Sequence, residues 1–539
     1  MSDRLLKGSP ILHGNDTVPG VSVPKEFMDL LPTVLQKCTE FGLDYFPPIL
    51  EMLDYDHMSE TAAYGGFPVR YPHWKWGMEY EELARGYEYG FSRIYEMVVN
   101  TSPYCYIYFL KANDLIDHVT VLIHALGHSD FFKNNIWFKP TSGNMMNLLA
   151  DNGQRIRKYM QRWGRDVVTR FIDHILRIST LIDPANAWAK RKIDPTLRKD
   201  ERKIGEIRRM AVDEDYMEDY INTREWKDQE RQRIDREDIA AQLDLFGSPV
   251  KDIFKWIKDN GQFKPWQEDI IAMLYDESMY FSPQGATKML NEGWASMIDF
   301  KLGACEGLVA LGQKHPDMGI VHYAKHKMGV LGGKWSMNPY KLGFELLTDI
   351  EDRWNKGKFG REWEECDDIK QKQKWDKKIG KGKEKMFEVR ELENDFTAIA
   401  RYFTPELCNK LDFYETKWYP NGEQKIEGRD FKKIKTALLH RYANRGLPDI
   451  RLTDPNHLNK GHFLMQHFWN GEPLYPPYVY EVLPSIHSLL NATVVLESKD
   501  GDETPVVWAC DGPEPGNVHY MSKQEYVDKH IRPKKRKKV

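Results

Sequence analysis

Apolar positions along this chain recur mostly at three- and four-residue spacing, the period of helices that bury one face. Residues 143–182 carry Leu148, Ile156, Tyr159, Val167, Phe171, Ile175 and Ile178 in that rhythm, which predicts helix. The same spacing predicts helix within 24–52, interrupted by turn residues, and again across 79–100. Asn338-Pro339 reads as a helix start. An asparagine can cap the first turn, and proline's missing N–H costs nothing there. The pattern then continues through Leu342, Phe344, Leu346, Leu347, Ile350 and Trp354. Residues 252–256 and 266–281 are further packed segments, and Ser282-Pro-Gln-Gly285 reads as a turn between two helices. Residues 104–110 form a short apolar run that suits a strand or a helix. Residues 64–77 are an aromatic loop held extended by Pro68 and Pro72.

Two stretches leave this pattern. Residues 187–240 are dense in charges of both signs with few aliphatics, which predicts a solvated insertion or lid, and 366–385 is a second charged stretch. From about 404 the texture turns to strands: 411–418, a turn at Pro420-Asn-Gly, then 493–496 and 505–509 around Asp500-Gly. The expected fold class is α+β, mainly α. An irregular 1–24 precedes a helical unit over 25–395, followed by a smaller α+β domain over 404–525 and a basic tail over 526–539.

Composition narrows the function. At 539 residues the chain exceeds one core, and 41% apolar residues exclude a disordered protein. A net charge of −4 gives no global attraction to nucleic acid, which only the tail with its Arg532-Pro-Lys-Lys-Arg-Lys-Lys538 run would supply. The six cysteines show no CxxC pair, which argues against a disulfide framework and a cysteine zinc site. No long apolar run predicts a membrane span, so a cytoplasmic location is expected.

The clearest chemistry lies in an apolar stretch that starts at Leu115 and Asn113-Asp114 can cap. His124 and His128 are four residues apart there, so on a helix both imidazoles leave one face. Helical zinc sites place their first two ligands this way. The alternative is two core histidines bonded to backbone carbonyls. A third ligand is expected from Glu292, in Asn291-Glu-Gly-Trp-Ala295. HxxGH followed by NEGWA resembles the zinc peptidases called gluzincins, which take two histidines from HExxH and a glutamate from a downstream helix. The resemblance departs at Ala125, where those enzymes carry the glutamate that acts as general base. Glu277 is the expected substitute base, with Tyr280 on the same face as an oxyanion donor. Asp130 is expected behind a ligand ring, accepting its N–H. Arg70, His73 and Trp74 of the aromatic loop are candidate substrate contacts, although a guanidinium there could equally stack on Tyr71 or Trp74. Glu96 is a weaker candidate.

Longer motifs carry a family resemblance. Phe67-Pro-Val-Arg-Tyr-Pro-His-Trp74, Ile94-Tyr-Glu-Met97, the run from His124 to Asn135, Tyr280-Phe-Ser-Pro-Gln-Gly285, Asn291–Ala295, Asn338-Pro-Tyr-Lys-Leu-Gly343 and Asp349-Ile-Glu-Asp-Arg-Trp-Asn-Lys-Gly357 resemble the stage V sporulation protein R (SpoVR) family. The similarity runs from about 25 to about 520. It implies a link to spore cortex formation and an association with a PrkA-type serine kinase, but it supplies no biochemical activity. Two functions stay open from the residues: a zinc-dependent hydrolase of amide or peptide bonds, or a non-catalytic scaffold or regulator stapled by metal.

Overall fold

The run Cys105-Tyr-Ile-Tyr-Phe-Leu110 is apolar on both alternating faces, so it can form a strand only where both faces are covered. In the computed structural model it is the inner strand of a small sheet, between Pro48–Leu53 and Glu96–Val99. The structure describes residues 11–12, 24–88, 96–187, 249–305, 331–332, 338–418 and 424–531. The charged stretch 187–240 falls outside them apart from residue 187, as do the turn at 420–422 and the basic run 532–538.

The chain divides into two compact units, one of 1–170 and 279–447, the other of 171–278 and 448–539. In the first, Pro48–Leu53 pairs parallel with Cys105–Leu110 and Ile11–Leu12 pairs parallel with Pro48–Leu53. Glu96–Val99 pairs antiparallel, with Glu96 opposite Phe109. Helix Leu115–Asn134 packs in the core beside the sheet and Lys25–Phe41, and nearly every residue from Ile116 to Phe132 is buried. A helix apolar on all sides belongs in the centre of a fold. Helices Lys288–Phe300, Pro339–Lys356 and Gly382–Leu392 join the same core. So does the 404–442 segment, through Leu407, Cys408, Ile434 and Leu438. It was expected with the C-terminal domain.

The second unit contains a five-stranded sheet, in the order Val518–Ser522, Pro505–Cys510, Val494–Lys499, His462–His467, Ile450–His457. All its pairs are antiparallel except His462–His467 with Val494–Lys499, and helix Pro476–Leu490 makes that parallel crossover. The mainly α, α+β class is therefore observed.

Three local expectations change. Pro48–Leu53 and Glu96–Val99 are strands, not helix, because each completes hydrogen bonding along Cys105–Leu110. The helix Pro265–Ala286 runs through Ser282–Gly285 and ends one residue before Thr287. Pro283 is in its last turn, where one lost N–H leaves most of the helix intact.

Candidate metal centre

Three helices approach one another at glycines, and each of these glycines adjoins the candidate chemistry. A Cβ on Gly127, the neighbour of His128, would lie 2.9 Å from Ala295 Cα. A Cβ on Gly293, beside Glu292, would overlap the backbone of Gly343, and one on Gly343 would overlap the Met289 carbonyl. Only glycine permits these approaches. Asp395 then fixes the start of helix Lys288–Phe300 from outside, accepting from Met289 N at 2.8 Å and Leu290 N at 2.9 Å.

That packing sets Glu292 against both histidines. Its Oε2 is 3.5 Å from His124 Nε2 and 3.5 Å from His128 Nε2. Glu96, on its strand, brings Oε1 to 3.7 Å from His124 Nε2. The two imidazole rings have centroids 4.6 Å apart. Glu96, His124 and His128 offer ligand atoms all within 4.8 Å of one another and can hold a metal ion. Separations near 3.5 Å are long for N–H···O hydrogen bonds. They match the roughly 3.4 Å expected between ligand atoms that each sit about 2.1 Å from a tetrahedral ion.

Neighbours set the protonation and orientation of these groups. Asn291 Oδ1 meets His128 Nδ1 at 2.9 Å, so Nδ1 is the protonated donor and the Nε2 lone pair faces Glu292. Burial pulls the His128 pKa down to about 4, which keeps that ring neutral. Burial also disfavours a charged His124, but Glu96 and Glu292 outweigh it and hold His124 above the usual histidine value. Burial raises the Glu292 carboxyl, yet His128, His124 and Tyr340 together bring it below the ordinary value. Tyr340, in the first turn of Pro339–Lys356, stacks on His124 with centroids 6.3 Å apart and planes at 24°. Burial, then the Glu292 and Glu96 charges, raise its phenol, so it stays a proton donor.

The other sequence candidates lie in different settings. Asp130 is fully buried and accepts not from a ligand ring but from Asp44 N at 2.7 Å and Trp294 Nε1 at 3.0 Å, with Arg390 at 3.4 Å. It ties helix Leu115–Asn134 to Trp294, two residues past Glu292, and burial lifts its pKa to about 6. The Tyr280 hydroxyl donates to Asn100 O at 2.7 Å. Glu277 is buried on Pro265–Ala286, in the part of that helix belonging to the second unit. Arg70 is buried with its guanidinium 5.7 Å over Tyr71, one of the two expected aromatic partners, and 4.5 Å over Trp76. His73 Nδ1 accepts from Lys75 N at 3.3 Å, and Trp74 is exposed. Asn291 and Tyr340 were not singled out by sequence reasoning. Both stand inside motifs that carry the family resemblance.

These features define a mainly helical α+β protein with a buried His/Glu group that can hold a metal. The chain belongs to the SpoVR family, whose "SpoVR like protein" description matches residues 24–447, a shorter span than the motifs suggested. It is similar to the uncharacterized protein YcgB of Escherichia coli (strain K12), 26% identical over 324 residues. That match spans 58% of this chain and 60% of YcgB, less than two thirds of the relative. No solved structure matches. Among the described residues no helix is long and apolar enough to cross a membrane.

Proposed function

We propose that this chain is a zinc-dependent hydrolase of amide or peptide bonds, with His124, His128 and Glu292 as the metal's protein ligands. The observation that carries the reading is the equal 3.5 Å approach of Glu292 Oε2 to both imidazole Nε2 atoms. Imidazole nitrogens beside a carboxylate suit zinc better than magnesium or calcium, which take oxygen shells. Zinc, when bound, supplies a Lewis acid that polarises a carbonyl and makes water more acidic. The protein's own groups do the remainder. Asn291 orients His128, and Tyr340 keeps a phenolic proton at the site. Arg70, His73 and Trp74 are proposed to hold an anionic group of the substrate, which would come from cell-wall precursors or a regulatory protein.

The second reading, a metal-stapled scaffold or regulator working with a protein partner such as a PrkA-type kinase, is favoured by Ala125, where the usual base is missing. Metal analysis of the purified protein followed by an amide and peptide library separates the two. The hydrolase reading expects stoichiometric zinc, lost in His124→Ala/His128→Ala, together with turnover. Stoichiometric zinc with no turnover on any member would establish the scaffold. No metal, or metal that survives the double substitution, would overturn both.

A further inference from the structure

The departure at Ala125 leaves the histidine helix without a carboxylate in the position from which a base would act. The fold returns one from another element. We propose that Glu96, carried on the strand Glu96–Val99, is the general base of the site, the role that sequence reasoning gave to Glu277. This rests on the metal-dependent hydrolase reading above.

Three observations support it. The first is the division of contacts between the two carboxylates. Glu292 Oε2 approaches both imidazoles at 3.5 Å, as a shared ligand would, whereas Glu96 Oε1 lies 3.7 Å from His124 Nε2, with its ligand atom within 4.8 Å of that of His128. Glu96 thus stands beside His124, the residue that Ala125 follows in the chain. The second is its anchorage. Glu96 pairs in register with Phe109, on the inner strand of the sheet, so its backbone is held by a ladder rather than by a loop. The third is its surroundings. The side chain is 17% exposed, beside a His124 side chain that is 11% exposed, so the carboxylate is mostly enclosed at the centre yet open to a small molecule such as water.

In the step assigned to it, the Glu96 carboxylate takes one proton from water as the water oxygen bonds to the amide carbonyl carbon. It returns that proton to the amine nitrogen as the C–N bond breaks. The second water proton stays on the new carboxylic acid, so Glu96 ends as it began.

The test uses the full chain loaded with cobalt(II) in place of zinc and reads visible absorption. Acetohydroxamic acid is the probe, because it must give up its hydroxyl proton to a neighbouring base as it takes an open metal position. Glu96→Gln preserves shape and is expected to leave cobalt stoichiometry and absorption unchanged while weakening the hydroxamate at least about tenfold. Glu96→Asp, which keeps a base but withdraws it, is expected to fall between wild type and Glu96→Gln. Loss of cobalt in Glu96→Gln, with the melting temperature of the metal-free protein unchanged, would make Glu96 a ligand and overturn the proposal. So would an unchanged hydroxamate affinity, or a loss seen in Glu277→Gln but not in Glu96→Gln. If wild type binds no cobalt, or His124→Ala/His128→Ala still binds it, the metal reading itself fails. The base assignment then falls with it, by an outcome distinct from the others.

Discussion

His118 and His124 are six residues apart on one helix, and both are buried. His118 packs between Phe27 and Phe109, with ring centroids 5.3 and 6.0 Å away, and burial pulls its pKa to about 4. Neither of its ring nitrogens has a hydrogen-bond partner among the described residues. His124 has a carboxylate on each of two other elements and a pKa held above the usual value. Six residues rotate a helix by about 240° beyond one full turn, so the two rings face different neighbours. The difference teaches that burial alone does not make a ligand. One imidazole is a core ring and the other belongs to a polar centre because different elements pack over them.

Removing the ligand side of this comparison should have the largest effect. His124→Ala/His128→Ala should abolish stoichiometric zinc and the thermal stabilisation that zinc gives, measured by elemental analysis and melting with and without metal. His118→Leu should leave zinc content intact. Zinc lost in His118→Leu with a native-like fold would erase the distinction.

Acid should separate the two rings next. Folding depresses the His118 pKa from 6.5 to about 4, so between those values the unfolded chain binds a proton that the folded chain does not. Stability should therefore be fully present above pH 6.5 and decline as pH falls towards 4. The slope should flatten in His118→Leu by on the order of 2–3 kcal/mol across the window. Urea titrations at the two ends measure it. At His124 the sign reverses, because its folded pKa lies above 6.5 in the metal-free protein. Protonation there stabilises the metal-free fold below that pH, and metal must displace the proton. Zinc affinity should weaken as pH drops through the raised value, by up to about tenfold per pH unit.

A smaller loss is expected from the glycines that bring the carboxylate to the imidazoles. Gly343→Ala places a methyl against the Met289 carbonyl and should cost about 1–3 kcal/mol in denaturant melts, with weakened zinc binding. An equal loss of stability with unaltered zinc affinity would show that this contact does not position Glu292. The smallest effect belongs to orientation. Asn291→Ala frees the His128 Nδ1 proton and should weaken zinc roughly 10- to 100-fold by competition titration, with the fold unchanged.

His124, His128 and Glu292 were legible in the sequence because helical spacing alone puts two imidazoles on one face, and a tryptophan and a glycine beside Glu292 marked a buried carboxylate. The mainly helical class was legible from the same periodicity. Glu96 was harder to read. Its segment has no strict alternation, and it is a strand only because Cys105–Leu110 lies beside it, a tertiary fact that local pattern does not contain. Asp130 drew attention through proximity along the helix, but two residues turn it about 200° from His128, towards Trp294 and Arg390. Tyr340 is far along the chain, and only the glycine contact between Gly293 and Gly343 brings its helix to the site. The interleaving of the two units, each made of two separate chain segments, likewise leaves no local mark.

X-ray absorption at the zinc edge of the metal-loaded full chain tests the central claim most directly. The account predicts a shell of nitrogen and oxygen at about 2.0–2.2 Å, with the multiple scattering of two imidazoles that disappears in His124→Ala/His128→Ala. Sulfur at about 2.3 Å, or a shell without imidazole, would contradict it.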